Sequence, residues 1–315
     1  MRSERHQGKK KKRKFGKIIR NLFIIFLLVV VAVVGYSYYQ FKQGLQTSKA
    51  DNDSSVPEQV YEFNGEKDQY GGTNILLLGS DSRGEENARA DTIMVAHYQP
   101  DSGTYKMISF MRDMYVDIPG HGQNRINAAL AYGGPELLRQ TIKENFNIDS
   151  QYYAILDFEG FEKVIDVAFP NGVEINVEKE MSQKIGVTLK PGLQKLDGEH
   201  LLGYVRFRND AVGDFGRVER QQNAIKAVMN QFTSLNTIAK LPKLVGVVTP
   251  YVNTNMKTSD ILYMGKDVLM NGSPQVESLR IPADGTYQNV RISGMAVLQV
   301  DLEANKQELQ QFLTN

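Results

Sequence analysis

Residues 74–83 read NILLLGSDSR, a short apolar run that ends in glycine, serine and aspartate. An apolar stretch of this length, bounded by turn-forming residues, is typical of a buried strand in an α/β sheet. In such sheets, ligands bind beyond the carboxyl ends of the strands. We therefore predict a strand over residues 74–78 and a functional site that begins at residues 79–83.

Downstream of this strand, strand-like and helix-like segments alternate. Residues 92–98 and 105–110 flank the turn-rich sequence QPDSGT and predict an antiparallel hairpin. Apolar spacing predicts helices over 135–146, 158–168, 197–205, 217–232, 259–269 and 302–313, and strands over 172–177 and 276–281. We expect a single α/β domain over residues 71–315, a layered α-β-α arrangement with a mixed central sheet.

Charge is distributed unevenly along the chain. Residues 1–20 contain ten basic side chains and one acidic one, a net charge of +9, although the whole chain of 315 residues carries only +1. The part after residue 20 is therefore acidic overall, at about −8, which argues against a nucleic-acid-binding body. The absence of cysteine excludes disulfides, zinc thiolates and cysteine nucleophiles.

An apolar segment follows the basic tail. Residues 22–39 read LFIIFLLVVVAVVGYSYY, which as a helix would span roughly 27 Å, close to the thickness of a bilayer core. Because basic residues stay on the cytoplasmic side, we expect a cytoplasmic tail at 1–20, a transmembrane signal-anchor at 21–39, a polar stalk at 40–70 and an extracellular domain. The chain is then a single-pass cell-membrane protein. A cleaved signal peptide and a buried core helix are the alternatives.

Two carboxylates occupy positions suited to a metal ion. Asp81 follows the first strand, and Asp91 opens the next one ten residues later. Mg²⁺ typically takes one or two protein carboxylates together with phosphate oxygens, so the two side chains could share one divalent cation. The alternative is that each aspartate forms a turn or caps a helix.

Arginines are concentrated near the predicted strand ends. Arg112 follows the second strand of the hairpin, although a solvated surface position is its alternative. Four arginines lie within fifteen residues around a glycine-bearing loop: Arg206, Arg208, Arg217 and Arg220. Arg217 and Gln221 are one helical turn apart and share a face. Arginine forks and a helix N-terminus both bind phosphate, which indicates an anion clamp. The alternative is pairing within the chain, with Asp210, Asp214 and Glu219.

Other chemistries lack their motifs. The four histidines show no metal-ligand spacing, and no G-x-S-x-G, P-loop or dinucleotide-binding sequence occurs. Arg139, on the predicted helix 135–146, lies outside the charged clusters, so we expect its removal to change the rate of any reaction little.

Six segments in this order, behind a basic single-span amino terminus, resemble the LytR-CpsA-Psr family of Gram-positive cell-envelope proteins. They are NILLLGSDSR at 74–83, RADTIM at 89–94, SFMRDMYVDIPG at 109–120, INAALAYGG at 126–134, LDGEHLLGYVRFRND at 196–210 and GDFGRVERQQ at 213–222. Together they cover about residues 73–235, and the resemblance says little about residues 236–315. We expect those residues to complete the same domain.

The resemblance implies a phosphotransferase. Its substrate would be a glycopolymer, such as wall teichoic acid or capsule, carried on polyprenyl (undecaprenyl) pyrophosphate whose lipid tail is buried, and its acceptor would be peptidoglycan. Asp81 and Asp91 resemble the family's ligands for Mg²⁺ or Mn²⁺. The residues that resemble its pyrophosphate-binding set are Arg89, Arg112, Arg206, Arg208, Arg217 and Gln221, with Arg125 as a further match. Asp91, Arg89, Arg112, Arg206 and Arg217 would be catalytic, with Asp91 also a candidate base.

Two other functions stay open. A hydrolase of lipid pyrophosphates would use the same clamp with water as the acceptor, and only its products would differ. A membrane-tethered transcription regulator would need a cytoplasmic DNA-binding fold, for which the twenty residues before the apolar segment are too few.

Overall fold

The computed structural model describes residues 28, 31–46, 61–80, 90–100, 102–231, 235–270 and 276–314. Residues 31–46 form helix α1. The strands are β1 Thr73–Ser80, β2 Ala90–Gln99, β3 Thr104–Phe110, β4 Met114–Ile118, β5 Gly122–Arg125, β6 Tyr152–Asp157, β7 Val173–Val177, β8 Gly192–Leu196, β9 Val252–Thr254, β10 Val276–Ile281, β11 Tyr287–Ile292 and β12 Met295–Val300. The other α-helices are α2 Ala128–Phe146, α3 Phe158–Ala168, α4 Gly198–Arg206, α5 Asp214–Gln231, α6 Leu235–Val248, α7 Thr258–Met270 and α8 Leu302–Thr314.

The central sheet is mixed, as predicted. Its strand order is β10-β3-β2-β1-β6-β9. The predicted hairpin is confirmed, because β2 pairs antiparallel with both β1 and β3, whereas β1 pairs parallel with β6 and β3 pairs parallel with β10. Strand β10 thus completes the sheet, and helix α8 packs on its core, so residues 276–314 belong to the same domain.

Helices cover both faces of this sheet. Ile108 in β3 is buried in the main core together with Leu138 of α2 and Leu309 of α8. Its neighbour Ser109 accepts a hydrogen bond from the Gln222 side chain of α5 at 3.0 Å. Because successive side chains of a strand point to opposite faces, α5 lies across the sheet from α2 and α8. The expected layered arrangement follows.

A second sheet was not predicted from the sequence. It has the order β11-β12-β4-β5, and a separate two-stranded sheet joins β7 and β8. Strand β4 alternates buried and more exposed side chains, but β5 is polar and only four residues long, and β4 pairs with β12, which lies far along the chain. Such pairing leaves only a weak local signal in a sequence.

The folded domain begins before residue 71. Tyr61 and Phe63 pack against Tyr153, with ring centroids 6.1 and 5.0 Å apart. Helix α2 makes room for Tyr61 at a kink, where Gly134 has a φ of 67° and an added Cβ would lie 2.9 Å from the tyrosine ring. Residues 61–70, which we expected in the stalk, are therefore part of the packed structure.

Helix α1 also contacts the domain. A Cβ on Gly44 would lie 2.2 Å from the backbone oxygen of Lys243 in α6, and a Cβ on Gly246 would lie 2.2 Å from that of Phe41. The two helices therefore cross at glycine, with their backbones in contact. Residues 41–46 of the expected stalk are packed, whereas residues 47–60 lie outside the described residues.

The predicted membrane segment is described only in part. Residues 1–27, 29 and 30 lie outside the described residues, and residues 31–39 form the first half of α1. Several apolar side chains of that half are more than half exposed, among them Val31 and Val34. Within the described part of the chain, no helix combines the length and the apolar character needed to cross a membrane.

Candidate active site

The site lies where strands β2 and β3 and helix α5 meet. Ile93 pairs with Phe110 across the β2–β3 ladder, so Asp91 and Arg112, each two residues further toward the edge, extend from the same end of the sheet. Helix α5 begins over this edge, and Arg217 Nη2 donates to the backbone oxygen of Asp91 at 3.4 Å. The sheet therefore presents an aspartate and an arginine to the first turns of a helix.

One small cavity collects four of the residues predicted from the sequence. Its lining includes Asp91, Arg112, Arg217 and Gln221, together with Asp214 and Thr92. Gln221 donates through Nε2 to Thr92 Oγ1 at 2.9 Å, which fixes the amide against the sheet. The predicted helix face that carries Arg217 and Gln221 therefore does face the strand ends.

Arg112 is the centre of an ion-pair network. Its Nη1 donates to Asp91 Oδ1, and its Nη2 donates to Asp214 Oδ2 at 3.1 Å. Arg217 Nη1 lies 3.5 Å from the other oxygen of Asp214. Asp214 is thus held between two guanidinium groups, so pairing within the chain, the alternative to an anion clamp, does occur at both arginines.

Two donors in this network make no hydrogen bond. The Nε atoms of Arg112 and Arg217 are buried and have no hydrogen-bond partner among the described residues, and Arg112 Nε lies 3.7 Å from Asp113 Oδ2. Leaving a buried charged donor unpaired costs free energy, about 1–3 kcal/mol for each group. Two such donors beside one cavity fit an anionic ligand with several oxygens, such as a phosphate.

The surrounding charges shift the acidity of the network. Burial alone would raise the pKa of Asp214, but the charges of Arg217 and Arg112 bring it below its ordinary value. Burial raises the pKa of Asp113, against the opposing charges of Arg112 and Arg125, and a hydrogen bond joins the Asp113 and Asp214 side chains. Burial also lowers the pKa of Arg217, which Asp214 opposes. Asp113 is therefore the carboxyl of the pair that more readily holds a proton.

Only Asp91 of the two candidate metal ligands lies among the described residues. Asp81 and Arg89 lie outside the described residues. Gly79 pairs with Thr92 and Ser80 with Ala90 across the antiparallel β1–β2 ladder, so Asp91 is the extra residue of an irregularity in β2, next to the partner of Ser80. The Asp91 carboxylate is one-third exposed and could accept a cation. The residues that the structure describes contain no group of three or more metal-ligating side chains.

The remaining predicted arginines lie at the margin of the cavity or away from it. Arg125 Nη1 is 3.3 Å from Asp113, and Nη2 donates to the Ala296 backbone oxygen at 2.6 Å. Arg208 is half exposed, with Nη1 4.0 Å from Asp214. Arg206 lies elsewhere, with its guanidinium 4.3 Å from the centre of the Phe158 ring.

Two other arginines have structural surroundings. Arg220 is buried and donates to Glu178, to Asp210 and to the Phe207 backbone oxygen, at 2.6, 2.6 and 3.0 Å. Arg139, which we expected to be inconsequential, is 5% exposed and pairs with Glu136 and Asp149. Removing Arg139 would leave a buried carboxylate with a weakened set of partners, so it is unsuitable as a neutral control.

Comparison with known proteins decides the family. The LytR_cpsA_psr family model matches residues 35–312. The chain belongs to the LytR_cpsA_psr family. This confirms the resemblance recognised from the six sequence segments.

Relatives within the LytR_cpsA_psr family bear two kinds of name. Regulatory protein MsrR of Staphylococcus aureus (strain COL) is 43% identical over 282 residues, covering 89% of this chain and 85% of the relative. Polyisoprenyl-teichoic acid--peptidoglycan teichoic acid transferase TagT of Bacillus subtilis (strain 168) is 30% identical over 324 residues, covering 98% of each. The solved structure of YwtF (TagT) with bound octaprenyl pyrophosphate lipid matches with a TM-score of 0.59 and 27% identity, over 83% of this chain and 97% of that one.

The sequence predicted no substrate contact for Asp113, Asp214 or Thr92 of this LytR_cpsA_psr site. Asp214 was expected only as a possible partner of the arginines. Asp214 is the first residue of α5, where an acidic side chain is also favoured by the helix dipole. That position gives a local reason for aspartate and conceals its contact with Arg112.

Proposed function

We propose that this LytR_cpsA_psr protein is a phosphotransferase that moves a glycopolymer, wall teichoic acid or a similar polymer, from polyprenyl pyrophosphate to peptidoglycan. The observation that carries the proposal is the cavity in which Arg112 and Arg217 surround Asp214, and in which the buried Nε atoms of both arginines make no hydrogen bond to any residue that the structure describes. The relative TagT is named as a transferase of teichoic acid to peptidoglycan, and its solved structure holds a polyprenyl pyrophosphate.

The pyrophosphate would bind by exchange of ion pairs. Its oxygens would replace the Asp91 carboxylate as a partner of Arg112 and would engage the Nε donors of Arg112 and Arg217, while Asp214 keeps both arginines in place. Gln221, now bonded to Thr92, offers a neutral donor beside them. We propose Arg89 and Arg208 as further cations for the same pyrophosphate, whereas Arg125, which pairs with Asp113, and Arg206, which packs on Phe158, do not line this cavity. Arginine suits the role because its fork donates two parallel hydrogen bonds to phosphate.

A divalent cation fits the same site. Asp81 and Asp91 would hold Mg²⁺ or Mn²⁺, because oxygen ligands at adjoining strand ends match the preference of these ions. Once Arg112 turns to the pyrophosphate, the Asp91 carboxylate is released from its ion pair. When bound, the cation would neutralise developing charge on the pyrophosphate oxygens.

The protein's own part in the reaction is positioning and charge stabilisation. A sugar hydroxyl of the acceptor would attack the phosphorus bonded to the glycopolymer, and polyprenyl phosphate would depart. Phosphoryl transfer needs little covalent participation from protein, and fixed donors near the phosphate oxygens account for much of the acceleration. Arg112 and Arg217 are such donors, since both are held by Asp214 before any substrate binds.

We place the catalytic domain at the outer surface of the cell membrane. The apolar segment at 22–39 and the basic tail before it support an anchor with a cytoplasmic amino terminus. Helix α1 then leads from this segment directly onto α6, through the crossing at Gly44 and Gly246. A carrier lipid in the outer leaflet would lie within reach of the domain.

Product analysis separates transferase from hydrolase. The full chain in detergent would be given Mg²⁺, a polyprenyl-pyrophosphate-linked saccharide and an uncrosslinked peptidoglycan oligomer, and the products identified by mass spectrometry. We expect a phosphodiester-joined conjugate and polyprenyl phosphate. A free saccharide phosphate without conjugate would identify a hydrolase, and unconsumed carrier would contradict both enzyme proposals. That result would favour a regulatory role, as the name of the relative MsrR suggests for that protein.

A further inference from the structure

A second cavity lies next to the proposed pyrophosphate site. It encloses about 470 Å³ between the start of α5 and strands β11 and β12. We call it the β11–β12 groove; its lining includes Asp113, Phe215, Asn289, Arg291, Ala296 and Val297. Its volume lies within the range of about 300–1,000 Å³ that is usual for small-molecule sites. The proposed function leaves it without a role.

The two cavities share a wall. Met111 and Asp214 line both of them. Asp91 and Gln221 line only the first cavity, whereas Asp113 lines only the groove. A ligand in the groove would therefore approach Asp214 from a different side than a pyrophosphate bound beside Asp91.

The chemistry of the groove suits an uncharged, hydroxyl-rich ligand. Two carboxyl groups, Asp113 and Asp214, line it, and their oxygens could accept a hydrogen bond from a hydroxyl. Its outer wall carries the exposed amide of Asn289 and the guanidinium of Arg291. Phe215 adds an apolar surface, and such a surface with a few polar groups is typical of ligand sites.

The groove is held at a fixed width. The Leu298 backbone N–H donates to the Asp113 backbone oxygen at 2.9 Å, which joins strand β12 to the residue that follows Arg112. Arg125 joins the same two walls through its contacts with Asp113 and the Ala296 backbone oxygen. Because a backbone hydrogen bond and the contacts of Arg125 join β12 to Asp113, this side of the groove is already formed in the protein alone.

We infer that the β11–β12 groove binds the acceptor, an uncharged pyranose unit of a glycan chain, and presents one of its hydroxyls to the phosphorus from the side opposite the polyprenyl phosphate. The inference rests on the proposed transferase function and adds the acceptor site. Attacking and leaving oxygens lie roughly in line in phosphoryl transfer, and two cavities separated by Asp214 provide two such sides.

In this transfer step, one bond to phosphorus forms, one breaks, and groups already present take up the proton. The acceptor oxygen forms a bond to the phosphorus attached to the glycopolymer, and the bond from that phosphorus to the bridging pyrophosphate oxygen breaks. The bond's electron pair leaves with the polyprenyl phosphate. The hydroxyl proton passes to the Asp113–Asp214 carboxyl pair and from there to solvent. Arg125 is a positioning residue in this step, because it holds Asp113 and does not touch the phosphate.

Substitutions on β11 test the inference. The double variant Asn289→Ala/Arg291→Ala removes polar groups that line the groove, and Gln288→Ala is its matched control, because Gln288 is an exposed residue of the same strand that does not line the groove. With full chains in detergent, we expect the double variant to raise the acceptor KM roughly 10-fold, as for the loss of two hydrogen bonds. The carrier KM should stay within 2-fold of wild type, and the control should leave both constants unchanged.

Three results would overturn the acceptor site. A raised carrier KM with an unchanged acceptor KM would place the donor saccharide in the groove. Unchanged constants for the double variant would remove the groove from the reaction. An equal loss in Gln288→Ala would indicate a general disturbance of the sheet.

Direct binding of the uncrosslinked peptidoglycan oligomer, measured by calorimetry, separates this inference from the proposed function. One outcome is that wild type binds the oligomer, that the double variant binds it about 10-fold more weakly, and that no transfer occurs. In that case the groove assignment is supported and the transferase proposal fails. If transfer occurs but the double variant binds the oligomer as wild type does, the groove assignment alone fails. A wild type that neither binds the oligomer nor transfers to it would contradict both.

Discussion

Replacement of Arg217 should separate activity from stability. The Arg217 side chain is buried, its Nε atom has no hydrogen-bond partner among the described residues, and its contact with Asp214 is 3.5 Å long. In Arg217→Met, the buried donor that lacks a hydrogen bond is removed, and this alone should raise the free energy of unfolding by about 1–3 kcal/mol. Asp214 keeps its 3.1 Å bond to Arg112, so the loss of one ion pair offsets this gain only in part. We expect the free energy of unfolding to stay within about 1 kcal/mol of wild type.

The same substitution should reduce transfer strongly. Removing one preorganised donor to a developing oxyanion typically costs about 2.7–4 kcal/mol, or roughly 100- to 1,000-fold in rate. The assay is kcat/KM for conjugate formation, measured alongside chemical unfolding of the same preparation. Transfer within 3-fold of wild type would refute the role of Arg217 in the clamp. A decrease of more than about 3 kcal/mol in the free energy of unfolding would refute the claim that the buried Arg217 charge destabilises the folded protein.

Arg220 on the same helix is the matched control. It is equally buried, but all three of its donor nitrogens are bonded, to Glu178, Asp210 and the Phe207 backbone oxygen. Arg220→Met leaves the buried Asp210 carboxylate with a weakened set of partners, which should destabilise the fold by about 3 kcal/mol. Two arginines one turn apart should thus show opposite effects: loss of activity in one and loss of stability in the other.

Three further predictions follow from individual contacts. Asp91→Asn should abolish stimulation of transfer by Mg²⁺ without lowering the melting temperature by more than a few degrees; unchanged Mg²⁺ stimulation in titrations would exclude Asp91 as a ligand. Burial and the nearby charge of Lys106 lower the pKa of His97 from 6.5 to about 4, so the unfolded chain binds the extra proton and stability should fall as pH drops from about 6.5 to 4. His97→Gln should flatten that slope in unfolding measurements, and an unaltered slope would assign it to other groups. Gly246→Val should detach α1 from α6 and lower the melting temperature of the full chain, whereas Gly35→Val, at a glycine with no neighbour within 4 Å, should not; equal melting temperatures for the two variants would show that the crossing contributes nothing.

The central sheet and the heart of the site could be predicted because their signals are local. Apolar runs define β1, β2 and β3, and helical spacing places Arg217 and Gln221 on one face. Arginine beside aspartate at strand ends then indicates a phosphate-binding site, and the cavity that includes Asp91 and Arg112 matches this expectation. Each inference needed only a short segment and its secondary structure.

The remainder depends on contacts between distant segments. Arg220 is structural because Glu178, 42 residues away in sequence, reaches it from another element. The groove exists because Arg125 and Ala296, 171 residues apart, are brought together by the second sheet. Helix α1 docks on α6 through Gly44, which we expected in the polar stalk, and through Gly246. Periodicity and composition do not indicate contacts between segments that are distant in the sequence.

The position of one phosphorus atom tests the central claim most directly. A carrier labelled with ³²P only at the phosphorus bonded to the saccharide would be incubated with the full chain, Mg²⁺ and uncrosslinked peptidoglycan oligomer. Transfer through the Arg112–Arg217 cavity predicts that the label moves with the saccharide into the peptidoglycan fraction, and that Arg217→Met moves roughly 100-fold less per unit time. Label recovered with the polyprenyl product, or only in a soluble saccharide phosphate, would contradict the account.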